Sequence, residues 1–283
     1  MSRNRDRMGI PTPQDNSTPP QAQQETAGFS FVVPTEFVEL PSGGRFYPET
    51  HPLCGQTTIE IKQMTAKEED MLTSRTLLKN GVAIERVIQS LIMDKRINPD
   101  SMLVGDRNAV IIAARISGYG SEYNTNVSCP ACGATQDYGI DLHDANVYSG
   151  QNPDALGVVD NGDGTFTTTL PKTRVQVAFR LLNGADEKNL VSQLENARKR
   201  KRPEQAITTQ IRNMVVSVNG DESIQALNYL IENIPSLDAR HLRVCYREVA
   251  PNIDLTQVFQ CDECGHEQDM EVPLSADFFW PDR

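Results

Sequence analysis

The chain of 283 residues is long enough for one large domain or two of ordinary size, and its 38% hydrophobic and 23% charged residues are typical of globular proteins. Its formal net charge of -11 argues against the electrostatic attraction on which non-specific nucleic-acid and membrane-surface binders rely. We find no apolar run long enough for a membrane helix and no secretory signal, so we expect a cytoplasmic protein with reduced thiols.

Residues 1–28 differ in composition from the rest of the chain. They are rich in Pro, Gln, Ser, Thr and Asn and contain almost no branched apolar residues. Such a segment cannot bury enough apolar surface to offset the entropy lost on ordering. We predict a disordered N-terminal arm, which either folds against a partner or has no role of its own.

A first lobe is predicted over residues 29–150. FSFVVPTEFVEL and TTIEIKQM are β-prone, and LPSGGRFYPE between them is a turn-rich loop. Helices are predicted from Thr65, over Val82–Lys95 and from Asp106. Thr65 and Glu68 have the spacing of a capping box. The strand YNTNVS then leads into CPACG.

Residues 151–283 repeat this order as a second lobe. GTFTTTL and RVQVAFRL are predicted strands, and DNGDGT before them is a hairpin turn rather than a calcium loop, since the bidentate Glu is missing. Helices are predicted over ADEKNLVSQLENARKRKR, EQAITTQIRNMVVSV and DESIQALNYLIENI, followed by one capped by Ser236. The strand TQVFQ enters CDECG. The aromatic C-terminal segment SADFFWPDR either packs onto its own lobe or docks into a neighbouring subunit.

The two halves share an ungapped register, which indicates an internal duplication. Cys129 and Cys132 precede Cys261 and Cys264 by 132 positions each. The same offset relates further identical residues, among them Asp106 and Asp238, Arg115 and Arg247, Gly133 and Gly265, and Gln136 and Gln268. The alternative is that any two cysteine knuckles look alike. We predict an α+β fold of two duplicated lobes joined by a four-cysteine zinc ribbon.

The two CxxCG segments are typical of zinc knuckles, each flanked by β-prone segments. One knuckle supplies two thiolates and a structural zinc needs four, so we predict one zinc ion bound by Cys129, Cys132, Cys261 and Cys264. A thioredoxin-like redox pair, an iron–sulfur cluster and two separate disulfides fit the spacing and the compartment less well. His266 is interpreted as a bystander, because four thiolates already fill the coordination shell.

No nucleophile elbow, P-loop, GxGxxG or HExxH motif is present, so we predict that the protein is not an enzyme. No pair of histidines has the spacing of metal ligands; the four are His51, His143, His241 and His266. Cys245 is predicted to lie in the core and Cys54 to be a free thiol in a loop. The basic run at residues 197–202 is interpreted as a solvated helix end that alternatively contacts phosphate or an acidic partner.

LPSGGRFYPE, the helix entry IEIKQMTAKEEDML and the segment ISGYGSEYNTNVSCPACG together resemble the baseplate hub proteins of T4-type (T-even) phages with contractile tails. The similar part runs from about Val38 to about Leu142, and the duplicated lobe would extend it. The loop Leu40–Pro48 and the knuckle Cys129–Cys132 are its specific parts.

This resemblance implies a non-enzymatic virion protein of the tail baseplate, made in the host cytoplasm. Its partners would be other baseplate and tail proteins and copies of itself. Two alternatives stay open: an assembly chaperone that is not retained in the virion, and a zinc-ribbon protein that binds nucleic acid. The resemblance supplies no catalytic residues, and the role of the C-terminal lobe is the least defined part.

Overall fold

Helices and small antiparallel sheets mix along the chain, which confirms the predicted α+β class. The computed structural model describes residues 33–79, 81–150, 153–201, 203, 205–272 and 276–279, so the predicted arm lies outside the described residues. The strands are β1 (Thr35–Glu39), β2 (Thr58–Lys62), β3 (Glu122–Ser128), β4 (Thr135–Asp141), β5 (Asn146–Tyr148), β6 (Val159–Asp160), β7 (Thr165–Thr169), β8 (Gln176–Arg180), β9 (Val215–Val218), β10 (Asn252–Asp254), β11 (Thr256–Gln260) and β12 (Glu267–Glu271). The helices are α1 (Ala66–Thr73), α2 (Arg75–Lys79), α3 (Ala83–Leu91), α4 (Val104–Tyr119), α5 (Gly184–Lys199), α6 (Ala206–Met214), α7 (Ile224–Asn233) and α8 (Ser236–Val249).

The first hairpin forms where the sequence predicts it. β1 pairs antiparallel with β2, and Val38 lies opposite Ile59 on the buried face. The turn-rich loop joins the two strands, and its Leu40 and Tyr47 are buried in the core. The alternation of apolar and polar residues therefore predicts both the strands and the face that they bury.

Helix α3 is shorter than predicted: it covers Ala83–Leu91 instead of Val82–Lys95. Ile92 adopts an extended backbone conformation and bridges Ile61 in β2. Met93 then donates its N–H to the carbonyl of Glu60 at 3.1 Å. The chain thus leaves the helix because a strand edge offers hydrogen bonds that local propensity does not reveal.

Helix α4 is the central helix of the first half, and nine of its 16 residues are buried. It begins at Val104, two residues before the predicted start at Asp106. Gly105 has no space for a side chain, since an added Cβ would lie 2.0 Å from the carbonyl oxygen of Pro251. The helix ends at Tyr119 and is capped by Gly120, whose φ of 83° favours glycine.

The second half contains a four-stranded antiparallel sheet in the order β6-β7-β8-β9. The DNGDGT segment is the turn between β6 and β7, as predicted. The prediction of one helix over EQAITTQIRNMVVSV is wrong at its end, because α6 stops at Met214 and Val215–Val218 forms β9. Two β-branched valines pair with β8 there: Val218 lies opposite Val177 and Val215 opposite Phe179.

Two other helix ends also differ from the predictions. Helix α5 stops at Lys199, short of the end of the basic run. Helix α8 starts at Ser236 itself, and Pro235 occupies the capping position that was assigned to Ser236. Proline fixes φ near the value required just before a helix, here -60°, which explains the shift by one residue.

One hydrophobic cluster spans both halves, and residues from Val33 onward belong to one compact unit. Phe278 and Phe279 of the aromatic C-terminal segment are fully buried in it, so this part of the segment packs onto its own chain. Arg115, also fully buried, donates from Nε to the carbonyl of Phe278 at 3.1 Å. The predicted core position of Cys245 is confirmed.

Two buried aspartates hold two equivalent loops. Asp106, the third residue of α4, accepts bonds from the N–H of Ser42 at 3.0 Å and from its hydroxyl at 2.7 Å. Asp238, the third residue of α8, accepts bonds from the N–H groups of Lys172 and Thr173 at 2.7 and 3.0 Å. In both halves, the residues that donate these hydrogen bonds come directly after a Leu-Pro dipeptide, in the loop between two paired strands.

A second pair of contacts is also equivalent. Glu68 in α1 accepts the N–H of Thr65 and forms an ion pair with Lys62 at the end of β2. In the second half, Asp186 in α5 accepts the N–H of Asn183 and forms an ion pair with Arg180 at the end of β8. Both carboxylates thus tie the start of a helix to the strand before it.

Candidate metal centre

The hairpin β3–β4 presents the first two cysteines at its tip. Seven residue pairs hold β3 to β4, from Glu122 opposite Asp141 to Ser128 opposite Thr135. Beyond Ser128 the chain turns tightly: Cys129 donates its N–H to the carbonyl of Ala134 at 2.8 Å and accepts the N–H of Gly133 at 2.9 Å. This turn places both cysteines of the knuckle on the same side.

The hairpin β11–β12 repeats this turn. Cys261 donates its N–H to the carbonyl of His266 and accepts the N–H of Gly265, both at 2.9 Å. The glycines after the second cysteines, Gly133 and Gly265, have φ values of 75° and 69°. A side chain is strained in that left-handed region, which explains why glycine occupies both positions.

The four sulfur atoms form one group. Each Sγ lies within 4.8 Å of the others. The Cys129–Cys264 and Cys132–Cys261 sulfur pairs are both 3.7 Å apart, far beyond the roughly 2.05 Å of a disulfide bond. A tetrahedral ion with metal–sulfur bonds of about 2.3 Å separates its sulfur ligands by about 3.8 Å. All four residues predicted from the sequence are therefore brought together at distances that fit one tetrahedral ion.

The two hairpins pack against each other beneath the sulfur atoms. Phe259 is fully buried between them, and its ring meets the ring of Tyr138 edge-on at 5.6 Å. The hydroxyl of Tyr138 donates to the carbonyl of Val258 at 2.9 Å. The amide of Gln136 donates to the carbonyl of Gln260 and accepts the N–H of Asp262. Sequence reasoning missed this role of Gln136, although its match to Gln268 at the 132-position offset of the cysteines was a signal.

The thiols of Cys129 and Cys264 differ strongly in pKa when no cation is bound. The N–H of Cys132 donates to the Cys129 sulfur and lowers the pKa of Cys129 to about 6. The pKa of Cys264 is raised to about 12, since the neighbouring thiols outweigh the lowering effect of the His266 N–H. One thiolate thus forms readily, and its negative charge opposes the ionisation of the neighbouring thiols. A bound dication removes this obstacle because it neutralises the negative charge.

The burial of the four cysteines is uneven. Cys129 and Cys261 are buried, whereas Cys132 and Cys264 are exposed. Four sulfur ligands leave no coordination position for water or substrate, so an ion at this place joins the hairpins and does not perform chemistry. His266 contributes its carbonyl to the turn and does not belong to the ligand group, in line with its interpretation as a bystander.

The remaining candidates lie apart from this group. His241 lies against Cys245, with its Nε2 3.4 Å from the sulfur, but that thiol is fully buried and its pKa is raised by burial. Cys54 is a free thiol, as predicted. His51 stacks on Tyr47 and contacts the hydroxyl of Ser101 at 2.8 Å. These contacts account for His241, Cys245 and His51 by packing.

A model of the family described as T4 bacteriophage base plate protein matches residues 33–280. The chain belongs to this family. The matched stretch of this T4-type baseplate protein extends the resemblance through the second half and includes both cysteine hairpins. No curated protein and no solved structure matches the chain. Among the described residues of the baseplate protein, no helix is long and apolar enough to cross a membrane.

Proposed function

We propose that this baseplate protein is a structural component of the hub or wedge region of a contractile phage tail. It acts through contacts with other baseplate and tail proteins, after synthesis in the host cytoplasm, and it has no enzymatic activity. The family match over residues 33–280 carries this proposal. The four-thiol group supports it as well, since a closed metal site stabilises a fold rather than catalysing a reaction.

The ion that we propose for this group is one structural zinc. Zinc favours four thiolates in a tetrahedron, and the equal 3.7 Å sulfur separations fit that geometry. The ion would join Cys129 to Cys264, which are 135 positions apart in the chain. Such a link holds strands that are distant in sequence as neighbours, and it would stabilise the protein in the assembled particle.

We further propose that the two halves are duplicated lobes, with boundaries at 29–150 and 151–283. The two knuckle turns have the same hydrogen bonds, and Asp106 and Asp238 hold equivalent loops from the third position of equivalent helices. The paired contacts of Glu68 and Asp186 support the same relation. Chance similarity of two knuckles would not extend to these contacts outside the metal centre.

The first test is the zinc content of protein purified without added metal, measured by elemental mass spectrometry. We expect about one zinc per chain, lost in both Cys129→Ser and Cys261→Ser, because a tetrahedral site needs both knuckles. Cys54→Ser is the matched control and should retain the metal. About two zinc ions per chain would contradict a shared site, and no metal in freshly reduced protein would contradict zinc altogether.

The second test addresses the role in the particle. A phage that lacks the gene should assemble no baseplates, and mass spectrometry of purified wild-type tails should detect this chain at a fixed ratio to other baseplate proteins. Absence from tails that nonetheless need the gene would identify the assembly chaperone instead. Normal tails without the gene would refute any baseplate role.

A further inference from the structure

Helix α5 ends in a concentrated positive charge. The sequence RKRKR begins at Arg198, and we name its described part, Arg198–Lys201, the basic turn. Only Gly184 is buried among the 16 residues of α5, whereas α4, of equal length, buries nine. The helix therefore lies largely in solvent and presents the basic turn at its end.

Two of the four residues of the basic turn, Arg200 and Lys201, carry a positive charge that no carboxylate in the described part of the chain neutralises. Lys199 forms an ion pair with Glu195 one helical turn earlier, at 3.2 Å, and both side chains are more than half exposed. In the described part of the chain, Arg200 and Lys201 form no ion pair. Basic residues at a helix C-terminus interact favourably with the helix dipole. This interaction explains one or two basic residues there, but not five in succession.

The two cysteine hairpins carry the opposite charge. Seven carboxylates on them are exposed: Glu122, Asp137, Asp141, Asp262, Glu263, Glu267 and Asp269. Neither hairpin contains a lysine or an arginine, and no such residue occurs between Arg115 and Lys172 or between Arg247 and Arg283. The packing of the hairpins around the cysteine group concentrates this charge on one module, which we name the acidic hairpins.

We propose that the basic turn of one copy docks onto the acidic hairpins of a second copy of this chain. The two surfaces belong to different elements and have opposite charge, so the contact is head-to-tail. In a pair of copies, one acidic surface stays free on the first copy and one basic turn stays free on the second. Repetition of such a contact closes into a ring when the rotation allows it. The inference rests on the proposed assembly role and identifies one partner and the surfaces involved.

A second copy fits this surface better than nucleic acid does. The chain carries a net charge of -11, and the acidic hairpins would repel a phosphate backbone that approached the molecule. The same acidic surface attracts the basic turn of another copy. Long-range attraction between such surfaces speeds their encounter and is screened by salt.

The test is sedimentation velocity of the full-length, zinc-containing protein at about 20 mM and about 500 mM salt, where the screening length falls several-fold. We expect a dimer or larger ring at low salt and a monomer at high salt. Arg200→Glu/Lys201→Glu should weaken association at least tenfold. Asp137→Lys/Asp269→Lys, on exposed strand positions outside the knuckle turns, should do the same.

Charge reversal on both surfaces decides whether they contact each other. A variant with all four substitutions should associate more tightly than either double variant, because the substituted positions on the two surfaces have exchanged the sign of their charges and attract each other again. Arg75→Glu/Lys79→Glu is the matched control: it makes the same change of charge on exposed residues of α2 and should associate like wild type.

Three results would overturn the inference: a wild-type monomer at low salt, equal effects of the α2 control and the basic-turn variant, or failure of the four-substitution variant to recover. Tighter binding of a labelled DNA duplex than of a second copy would also overturn it. None of these results bears on whether the chain occurs in purified tails, so the two proposals fail separately.

Discussion

At the scale of single residues, buried carboxylates hold the fold together. Asp106 accepts the backbone and hydroxyl bonds of Ser42 and, at 2.7 Å, the hydroxyl of Tyr47. Tyr47 in turn accepts the N–H of Leu103 just before α4. The LPSGGRFYP loop is therefore fixed to the start of α4 by one fully buried side chain. This loop is a specific part of the resemblance to T4-type baseplate proteins, and its attachment to α4 is a structural reason for its sequence.

We predict that Asp106→Asn destabilises the protein by about 2–4 kcal/mol, because the new NH2 group would face hydrogen-bond donors in a buried site. Chemical denaturation measures the change. Asp94→Asn is the control, since Asp94 pairs with the exposed Arg96 at the surface, where solvent screens the pair, and it should change stability much less. Equal effects of the two substitutions would contradict the role of Asp106.

Glu68 makes stability depend on pH. The pKa of its carboxyl group is lowered to about 2. Burial raises this pKa, but the hydrogen bonds from Lys62, Ser90 and Thr65 together lower it by more. Because the folded-state pKa lies below the unfolded value of about 4.3, this stabilisation is complete above pH ~4.3 and is lost as the pH falls towards 2.

The corresponding prediction is that Glu68→Gln lowers the free energy of unfolding by about 1–3 kcal/mol at pH 7, and that the difference from wild type shrinks as the pH falls towards 2. Urea denaturation at several pH values measures it. The neighbouring exposed Glu69→Gln should change little at any pH. A difference that stays constant down to pH 2 would refute the linkage.

At the scale of elements, close backbone approach constrains α4. Gly105 lies against Pro251 and Asn252, where α4 meets β10, whereas Gly118 of the same helix faces the side chain of Met64 and comes closest to its terminal methyl. The two glycines therefore differ in what a methyl group would displace. Backbone cannot move without disturbing β10, but a methionine side chain can change rotamer.

Gly105→Ala should therefore destabilise the protein by about 3 kcal/mol or more, through overlap with the Pro251 carbonyl. Gly118→Ala should lie within about 1 kcal/mol of wild type, because the alanine favours the helix while Met64 adjusts. Thermal unfolding of both variants measures the contrast. A milder effect at Gly105 than at Gly118 would contradict the described packing.

At the scale of the whole molecule, the cysteine group joins distant parts of the chain. The hairpins that it links, β3–β4 and β11–β12, are far apart in sequence yet share a small core around Phe259. A cross-link that closes a loop of about 100 residues stabilises a protein by roughly 4–5 kcal/mol in the chain-entropy description. The proposed zinc should act in the same way.

Removal of the metal by a strong chelator should lower Tm by about 7–10 °C, which calorimetry with and without chelator measures. The same treatment should have little effect on Cys261→Ser, which lacks a complete site, and its full effect on Cys54→Ser. An unchanged Tm in the wild-type protein would show that the ion is not a structural link.

The sequence by itself determined the features that depend on local pattern. The α+β class, the core position of Cys245 and the grouping of Cys129, Cys132, Cys261 and Cys264 follow from periodicity, spacing and an ungapped register. The knuckles were recognisable because a tight turn needs cysteine and glycine at fixed positions, and those positions are adjacent in the chain.

Only the tertiary structure decided which distant partner each segment found. Ile92 and Val215 leave helical patterns because β2 and β8 offer them strand pairing. Asp106 resembles an ordinary helix-start residue until the loop of Ser42 folds over it. For Phe278 and Phe279 the sequence leaves two equal alternatives, packing onto their own chain or docking into a neighbouring subunit. In the structure both side chains are buried in the core of their own chain. Strand pairing and burial depend on residues far away in sequence, which no local pattern contains.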